Sequence, residues 1–345
     1  MRSVEISEKM FEGAVSVESV DGGWKPWRLP HTEKGLFPSS NEALLARAEN
    51  ASGVRLRFDS DTTAIALQVG VGGEVNPVTG RDAFLFDVTI DRELIQSASV
   101  KPGETEARFN ELPSGDKTIE LWLPQDSHVI LREMTIDDSA SLTVSEDKRP
   151  RWVTYGSSLT HCVRAHSPAR TWPAIIARRY ELNLTSLGFG GQCCLDPMLG
   201  FVIRDLPADL ITLKLGINCI AAGHLSGRTY APNALGLVRI IREKHPETPI
   251  VLVSPIGHPP TESTPNPVGY TISGMRRDLK DVAERLQAAG DENLYYTDGL
   301  EVFSLAEIAE WATDECHPNA DGIELQAENF DRAVIQRFLS NAVER

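Results

Sequence analysis

Apolar and polar residues alternate through most of residues 50–137. In the first run, Val54, Leu56 and Phe58 are separated by arginines, and further runs with the same period of two follow. A period of two places the apolar side chains on one face of a strand. Turn-forming residues interrupt the runs, and no helical period lies between them. The pattern therefore predicts an all-β, jelly-roll-like sandwich in the first part of the chain.

After Arg151 the pattern changes, and short apolar runs alternate with longer segments of helical period. The pattern predicts strands at 152–155, 182–187, 210–215, 250–254 and 294–297. It predicts helices at 171–180, 231–244, 271–289 and 319–341. Strands that alternate with helices are joined by right-handed crossovers into a parallel sheet covered on both faces. We therefore expect a three-layer, flavodoxin-like α/β domain with a parallel sheet.

The 345 residues fit two domains. We expect the sandwich to occupy 1–145 and the α/β domain 150–345, with the polar stretch 138–150 between them as a linker. The proline-rich stretch 255–269 follows a predicted strand and is expected to be a loop. Loops that follow parallel strands border the ligand site in this class of domain.

Composition narrows the range of partners. Hydrophobic residues make up 41% of the chain, charged residues 24%, and the net charge is −15. A strongly acidic balance argues against nucleic acid and anionic membrane surfaces as partners. The chain has no apolar run long enough to span a membrane, and its first residues lack the apolar region of a signal peptide. We expect a cytoplasmic protein with a small-molecule substrate, and the sequence does not predict its oligomeric state.

The five cysteines are an odd number, and none belongs to a C-x-x-C pair. Without a signal peptide, this pattern indicates reduced thiols rather than disulfides. We expect these side chains to pack as small apolar groups, and we expect no metal ion and no cofactor. The cysteines are Cys162, Cys193, Cys194, Cys219 and Cys316.

A candidate nucleophile follows the first strand of the α/β domain. Gly156 allows a sharp turn, and Ser158 would lie where the carboxyl edge of the sheet meets the next helix. Open α/β sheets bind their ligands at that edge. A serine in such a turn can instead cap the helix, and this motif alone leaves both interpretations open.

A candidate base and its orienting acid lie near the carboxyl end of the chain. A serine nucleophile needs a base to accept its proton, and the base needs an acid that holds one tautomer. Asp314 and His317 are three residues apart and could supply both groups. The alternative is that Asp314 caps the following helix while His317 lies on the surface.

Two further loops could supply hydrogen-bond donors to an oxyanion. The runs 188–191 and 216–218 both follow predicted strands. Gly191 offers a backbone N–H that a ligand can approach closely, and Asn218 offers a side-chain NH₂. A nucleotide-binding glycine loop is the rival interpretation of 188–191. The dinucleotide-binding fingerprint, however, needs a G-x-G-x-x-G spacing after the first strand. The run that begins at Gly188 reads G-F-G-G-Q-C and follows the second predicted strand of the domain, so it does not match this fingerprint.

Taken together, these four blocks resemble those of the SGNH/GDSL hydrolase superfamily, over about residues 151–341. The G-D-S block reads Gly-Ser-Ser at 156–158, and the N-x-G-x-x-G block has serine in place of asparagine at 186–191. The G-x-N block at 216–218 and the D-x-x-H-P block at 314–318 are intact.

The resemblance implies a role for each block. Ser158 would be the nucleophile, His317 its base and Asp314 the group that orients His317. The backbone N–H groups of Ser158 and Gly191 and the side chain of Asn218 would form the oxyanion hole. In the loop 255–269, His258 and Glu262 are candidates for the substrate pocket, although loop residues of these types also serve structural roles.

The sandwich together with the SGNH domain resembles two-domain carbohydrate esterases and GDSL-type acyltransferases of natural-product pathways. In such an architecture the sandwich would bind substrate or form one wall of the cleft. The leading hypothesis is a serine esterase that acts on a small polar O-acyl compound, such as an acylated sugar or a glycosylated metabolite. The alternative is an O-acyltransferase that uses the same three residues. A non-catalytic binding protein is a third hypothesis, and it would require a vestigial triad.

Overall fold

The computed structural model describes residues 1–72, 75–221 and 223–339. The chain divides into two compact units. The first contains Met1–Arg149 and Val163–Ser186, and the second contains Pro150–Cys162 and Leu187–Arg345. None of the helices in the described part of the chain combines the length and the apolar character needed to cross a bilayer.

The first unit is built from antiparallel sheets. Its strands in the described residues are β1 Arg2–Val4, β2 Phe11–Glu12, β3 Ser16–Val20, β4 Gly23–Trp27, β5 Arg55–Ser60, β6 Ile65–Val71, β7 Phe84–Ile90, β8 Glu93–Val100, β9 Glu106–Phe109, β10 Lys117–Trp122 and β11 Val129–Ile136. One sheet has the order β3-β4-β11-β6-β9, with β1 paired to β11, and the other has the order β2-β5-β10-β7-β8.

The alternating residues of both sheets form one apolar core. Leu56 on β5, Leu67 on β6, Ile119 on β10 and Met134 on β11 are all fully buried in it. The sandwich predicted from the alternation is therefore confirmed. It also includes the strands before residue 50, where short segments of mixed burial show no clear period.

The polar stretch 138–150 is held against the first unit. Thr143 and Asp59 exchange both backbone hydrogen bonds, at 2.8 and 2.9 Å. The Ser60 hydroxyl donates to the carbonyl of Ser141 at 2.6 Å. The stretch expected to be a linker is thus bound along a strand, because its backbone groups complete the edge of the sheet.

The segment 163–186 belongs to the first unit and carries helix α3 (Trp172–Arg179). Two fully buried arginines hold its final residues. Arg28 donates to the carbonyl of Ser186 at 3.3 Å, and Arg55 donates to the carbonyl of Leu184 at 3.0 Å. The α/β domain expected at 150–345 therefore contributes one segment to the first unit.

The remaining elements are a parallel sheet and its helices, with one further helix, α1 (Ala43–Ala48), in the first unit. The strands are β12 Arg151–Gly156, β13 Asn183–Gly188, β14 Leu210–Lys214, β15 Ile250–Val253 and β16 Leu294–Thr297. The helices are α2 Ser158–His161, α4 Pro197–Asp205, α5 Ile217–Ala221, α6 Tyr230–Arg242, α7 Ile272–Ala288, α8 Gly299–Val302, α9 Leu305–Trp311, α10 Ala320–Phe330 and α11 Gln336–Leu339.

The sheet order, β13-β12-β14-β15-β16, confirms the flavodoxin-like topology, and β12, β14, β15 and β16 pair in parallel. Helices α4, α5, α8 and α9 were not among the predicted helices. The predicted helix 319–341 is divided, since a π-helical turn at Asp331–Ile335 follows α10. Its last two positions lie outside the described residues. Domains of this topology bind ligands where the strand order reverses, which in this sheet is at the carboxyl ends of β12 and β14.

Candidate active site

All seven site residues predicted from the sequence belong to the second unit. The short helix α2 positions the first of them. Ser157 caps this helix, since its hydroxyl accepts a hydrogen bond from the N–H of Leu159 at 3.2 Å. Ser158 occupies the first helical position, where a backbone N–H has no carbonyl within the helix to bond. The capping role that the sequence left open for Ser158 is therefore filled by Ser157.

The Ser158 hydroxyl contacts an imidazole. Its Oγ lies 2.8 Å from Nε2 of His317, and Nδ1 of His317 lies 2.9 Å from Oδ2 of Asp314. With Nδ1 protonated and bound to the carboxylate, Nε2 is left as the acceptor for the serine proton. The three side chains therefore form one continuous hydrogen-bonded relay.

A tight loop presents Asp314 and His317 together. Ala312 and Pro318 form an antiparallel bridge that closes the loop. The Oδ1 atom of Asp314 accepts the backbone N–H of His317 at 2.7 Å, while its Oδ2 binds the ring. Asn319, rather than Asp314, caps the following helix α10. The carboxylate therefore fixes both the backbone and the ring of the histidine.

The glycine loop after β13 leaves one backbone donor available. The N–H of Phe189 donates to the carbonyl of Gly156, that of Gly190 to Nδ1 of His161, and that of Gln192 to the carbonyl of Phe189. Among the described residues, the N–H of Gly191 has no acceptor. Gly191 has a φ of +74°, which fits the third position of a type II turn and favours glycine there.

Asn218 lies on helix α5 and is largely buried. Its Oδ1 accepts the backbone N–H of Cys193 at 3.0 Å. This contact fixes the orientation of the amide group, so the Nδ2 hydrogens are the part of the side chain that can serve a ligand. Gly216, just before the helix, has a φ of +123°, and a β-carbon there would come within 2.6 Å of Pro255. Glycine is therefore needed for the loops after β14 and β15 to approach each other.

The proline-rich loop carries His258 and Glu262. Burial lowers the pKa of His258, and the charges of Glu315, His317 and Asp314 also act on its ring, so this loop neighbours the relay. Nδ1 of His258 lies 2.7 Å from the hydroxyl of Thr261.

Glu262 has a different environment. It forms an ion pair with Arg276 on helix α7 and also accepts the backbone N–H of His258 at 3.4 Å. Both partners are residues of the protein itself, so the Glu262 carboxylate attaches the proline-rich loop to helix α7.

The five cysteines lie in or beside the site blocks along the chain, and all are free thiols. Cys162, Cys193 and Cys219 are buried, while Cys194 and Cys316 are partly exposed. Burial, with a further contribution from Asp196, raises the pKa of Cys194 to about 12. Such a thiol is protonated at neutral pH and a poor nucleophile.

This arrangement can carry out acyl-transfer chemistry. A hydroxyl beside an oriented imidazole can attack a carbonyl, and N–H donors directed at the oxyanion that forms can stabilise it. Two roles were not identified from the sequence: that of Ser157 as the helix cap, and that of the buried His161 as the acceptor for the N–H of Gly190. Serine is a common helix-capping residue, so the role of Ser157 could have been predicted from its position directly before the nucleophile. The contact of His161 with Gly190 could not, because it forms only in the folded loop.

Comparisons with known proteins identify the family of the chain. Residues 149–336 match the GDSL-like Lipase/Acylhydrolase family, and residues 9–132 match the SsfX3 N-terminal domain. The salicylyl-acyltransferase SsfX3 from a tetracycline biosynthetic pathway is 35% identical in sequence to this chain. Its solved structure matches the present one with a TM-score of 0.89, and the match covers 97% of each chain. No protein of curated function matches the sequence.

Two more distant structures share the fold. A GDSL-like lipase candidate from Bacteroides ovatus is 20% identical to this chain, with a TM-score of 0.76. The match covers 96% of this chain and 95% of the lipase candidate. A family two carbohydrate esterase from Clostridium thermocellum is 14% identical to this chain, with a TM-score of 0.67. The match covers 95% of this chain and 98% of the esterase. The family and the two-domain fold predicted from the sequence are confirmed: the chain belongs to the GDSL-like lipase/acylhydrolase family of serine hydrolases and acyltransferases.

Proposed function

We propose that the protein transfers an acyl group from an activated ester or thioester to a hydroxyl group of a small polar molecule. The observation that carries this proposal is the relay of Ser158, His317 and Asp314. The acyl group is held on Ser158 between the two half-reactions.

The first half-reaction forms the acyl-enzyme. His317 Nε2 accepts the Ser158 proton while Oγ bonds to the acyl carbon. The tetrahedral oxyanion receives hydrogen bonds from the N–H groups of Ser158 and Gly191 and from Nδ2 of Asn218. The bond to the donor's leaving group then breaks, and the leaving group takes the proton from His317. Asp314 stabilises the imidazolium that exists between these steps.

In the second half-reaction an acceptor alcohol loses its proton to His317 and attacks the acyl carbon. The new ester forms as the bond to Ser158 Oγ breaks, and the proton returns to Ser158. Transfer to an alcohol is supported by the likeness to the salicylyl-acyltransferase, which extends over 97% of both chains and includes the N-terminal domain.

Hydrolysis is the second candidate function, with water in place of the alcohol. The side chains of His317 and Asp314 are 35% and 40% exposed, so water can reach the base. Both functions share the acyl-enzyme and differ in which nucleophile resolves it.

The experiment is a partition assay with the full chain. An activated aryl ester is supplied with and without a series of alcohols, including sugars and phenols, and free acid and new ester are both quantified. Transfer predicts that one class of alcohol gives new ester at low concentration while the yield of free acid falls. Free acid as the only product at every alcohol concentration, with unchanged rates, would identify a hydrolase.

A further inference from the structure

His161 lies directly behind the candidate nucleophile. It is the last residue of α2, three positions after Ser158, and its side chain has no solvent exposure. A fully buried imidazole cannot touch a substrate, so a direct role in binding is excluded. Burying a polar ring is costly unless hydrogen bonds compensate for the lost contacts with water.

The ring accepts a hydrogen bond from the glycine loop. The backbone N–H of Gly190 donates to Nδ1 of His161, with 3.4 Å between the nitrogens. An accepting Nδ1 requires a lone pair, so this contact selects the neutral ring with its proton on Nε2. His317 needs the opposite tautomer, so the two histidines have different tasks.

The glycine loop packs closely against α2. A β-carbon on Gly188 would come within 2.3 Å of the backbone nitrogen of His161. A β-carbon on Gly190 would lie 3.5 Å from both His161 Nδ1 and the β-carbon of Ser158. The loop therefore rests on α2, and His161 is the side chain of that helix to which it is hydrogen-bonded.

We propose that His161 is a positioning residue: by accepting the N–H of the Phe189–Gly190 peptide, it holds the turn so that the next N–H, that of Gly191, faces the oxyanion. The Gly190 N–H is directed inward to the ring, and the next N–H along the turn is the one without an acceptor among the described residues. This inference rests on the proposed acyl-transfer function, because it assigns His161 a task within the oxyanion hole.

The test compares variants that keep, move or remove the acceptor atom. His161→Asn places an oxygen near the position of Nδ1, His161→Gln moves it outward, and His161→Phe removes it while retaining a ring. Each variant is assayed for kcat and KM with an aryl ester, and for the Ki of a boronic acid that forms an anionic tetrahedral adduct. His245→Phe is the matched control, since His245 is also a buried histidine of the second unit and is not part of the site.

We expect His161→Phe and His161→Gln to lower kcat about 10- to 100-fold, part of the loss seen when an oxyanion donor is removed. KM should stay within about two-fold, because the lost interaction forms in the transition state. The Ki of the boronic acid should rise in parallel, while His161→Asn and His245→Phe keep kcat within about three-fold of wild type. If His161→Phe does not fold, the Asn and Gln variants decide the question, since both side chains are polar.

Two failures are distinguishable. Wild-type kcat and Ki in the Gln and Phe variants, with Ser158→Ala inactive, would overturn the role of His161 and leave the proposed function intact. Full turnover by Ser158→Ala would overturn the proposed function, and the role of His161 with it.

Discussion

The Oγ atom of Ser158 lies 2.8 Å from Nε2 of His317, although 159 positions separate the two residues along the chain. One residue follows the first strand of the parallel sheet and the other follows helix α9. The fold therefore brings together groups that no local interaction could join, and the chemistry proposed for the protein depends on this contact.

Alanine substitutions of the two adjacent serines should affect different properties, turnover for Ser158 and stability for Ser157. Ser158→Ala should abolish turnover and leave the melting temperature unchanged, because its hydroxyl contacts the imidazole rather than the backbone. Ser157→Ala should lower the unfolding free energy by about 1 kcal/mol through loss of the helix cap. Thermal denaturation and ester turnover measure both effects. A melting temperature lowered more by Ser158→Ala than by Ser157→Ala would contradict this division.

Asp314→Asn should lower kcat about 10³- to 10⁴-fold, as expected when the base loses its orienting acid. The amide can still accept the backbone N–H of His317 through an oxygen, so the loop should keep its shape. Steady-state kinetics and circular dichroism test the two statements. A kcat within ten-fold of wild type would show that His317 does not depend on this carboxylate.

The side chain of Asn218 should stabilise the transition state and not the bound substrate. Asn218→Asp keeps the acceptor for the Cys193 N–H and removes the donor, and it should lower kcat about 10²- to 10³-fold with little change in KM. Labelling of Ser158 by a fluorophosphonate should slow in the same proportion. An increase in KM with unchanged kcat would instead indicate a ground-state contact with substrate.

The buried Lys214, at the end of β14, should make stability depend on pH. Burial lowers the pKa of Lys214 from 10.5 to about 8. Below pH 8 the lysine is protonated in both states, and its burial costs stability. Between pH 8 and 10.5 the unfolded chain binds more protons than the folded one, so this contribution to stability rises with pH.

Lys214→Met should therefore raise the unfolding free energy at pH 7, by up to about 3 kcal/mol. The advantage over wild type should shrink as the pH rises from 8 to 10, where the wild-type lysine loses its charge. Urea denaturation of both proteins at pH 7 and pH 10 measures the difference. An advantage of the same size at both pH values would contradict the lowered pKa.

The first unit should be required for folding. Arg28 is fully buried and donates to the carbonyls of Arg47, Asn50 and Ser186. Arg28→Met leaves these acceptors without their donor and should cost a few kcal/mol, since each buried polar group left unsatisfied costs about 1–3 kcal/mol. Arg132→Met is the matched control, because Arg132 donates to backbone carbonyls at an exposed position.

A chain that lacks residues 1–145 should show no cooperative unfolding transition, because the segment 163–186 loses the partners that bury it. Calorimetry of the truncated chain and of the two arginine variants tests this account. A truncated chain that unfolds cooperatively and retains turnover would show that the second unit folds alone.

The sequence predicted the relay because Ser158 directly follows a strand and because Asp314 and His317 lie together in one short block. Asp314 and His317 are three residues apart, and a parallel sheet brings the ends of its strands to one edge. The alternation in Val54, Leu56 and Phe58 likewise predicted the sandwich, since one face of each strand must be buried.

What the sequence did not predict depends on packing between distant segments. The position of 163–186 in the first unit follows from contacts such as that of Arg55 with Leu184, which no local pattern reveals. The same holds for His161, whose partner Gly190 lies in another loop. Glu262 looked available in a polar loop, and only the fold shows that Arg276 is paired with it.

Trapping the acyl-enzyme tests the central claim most directly. The full chain is mixed with an activated aryl ester, quenched in acid and analysed by mass spectrometry after proteolysis. The account predicts a mass increase of one acyl group on the peptide that contains Ser158, and no increase in Ser158→Ala. Turnover at the wild-type rate by Ser158→Ala, or an acyl group found on another residue and kinetically competent, would contradict it.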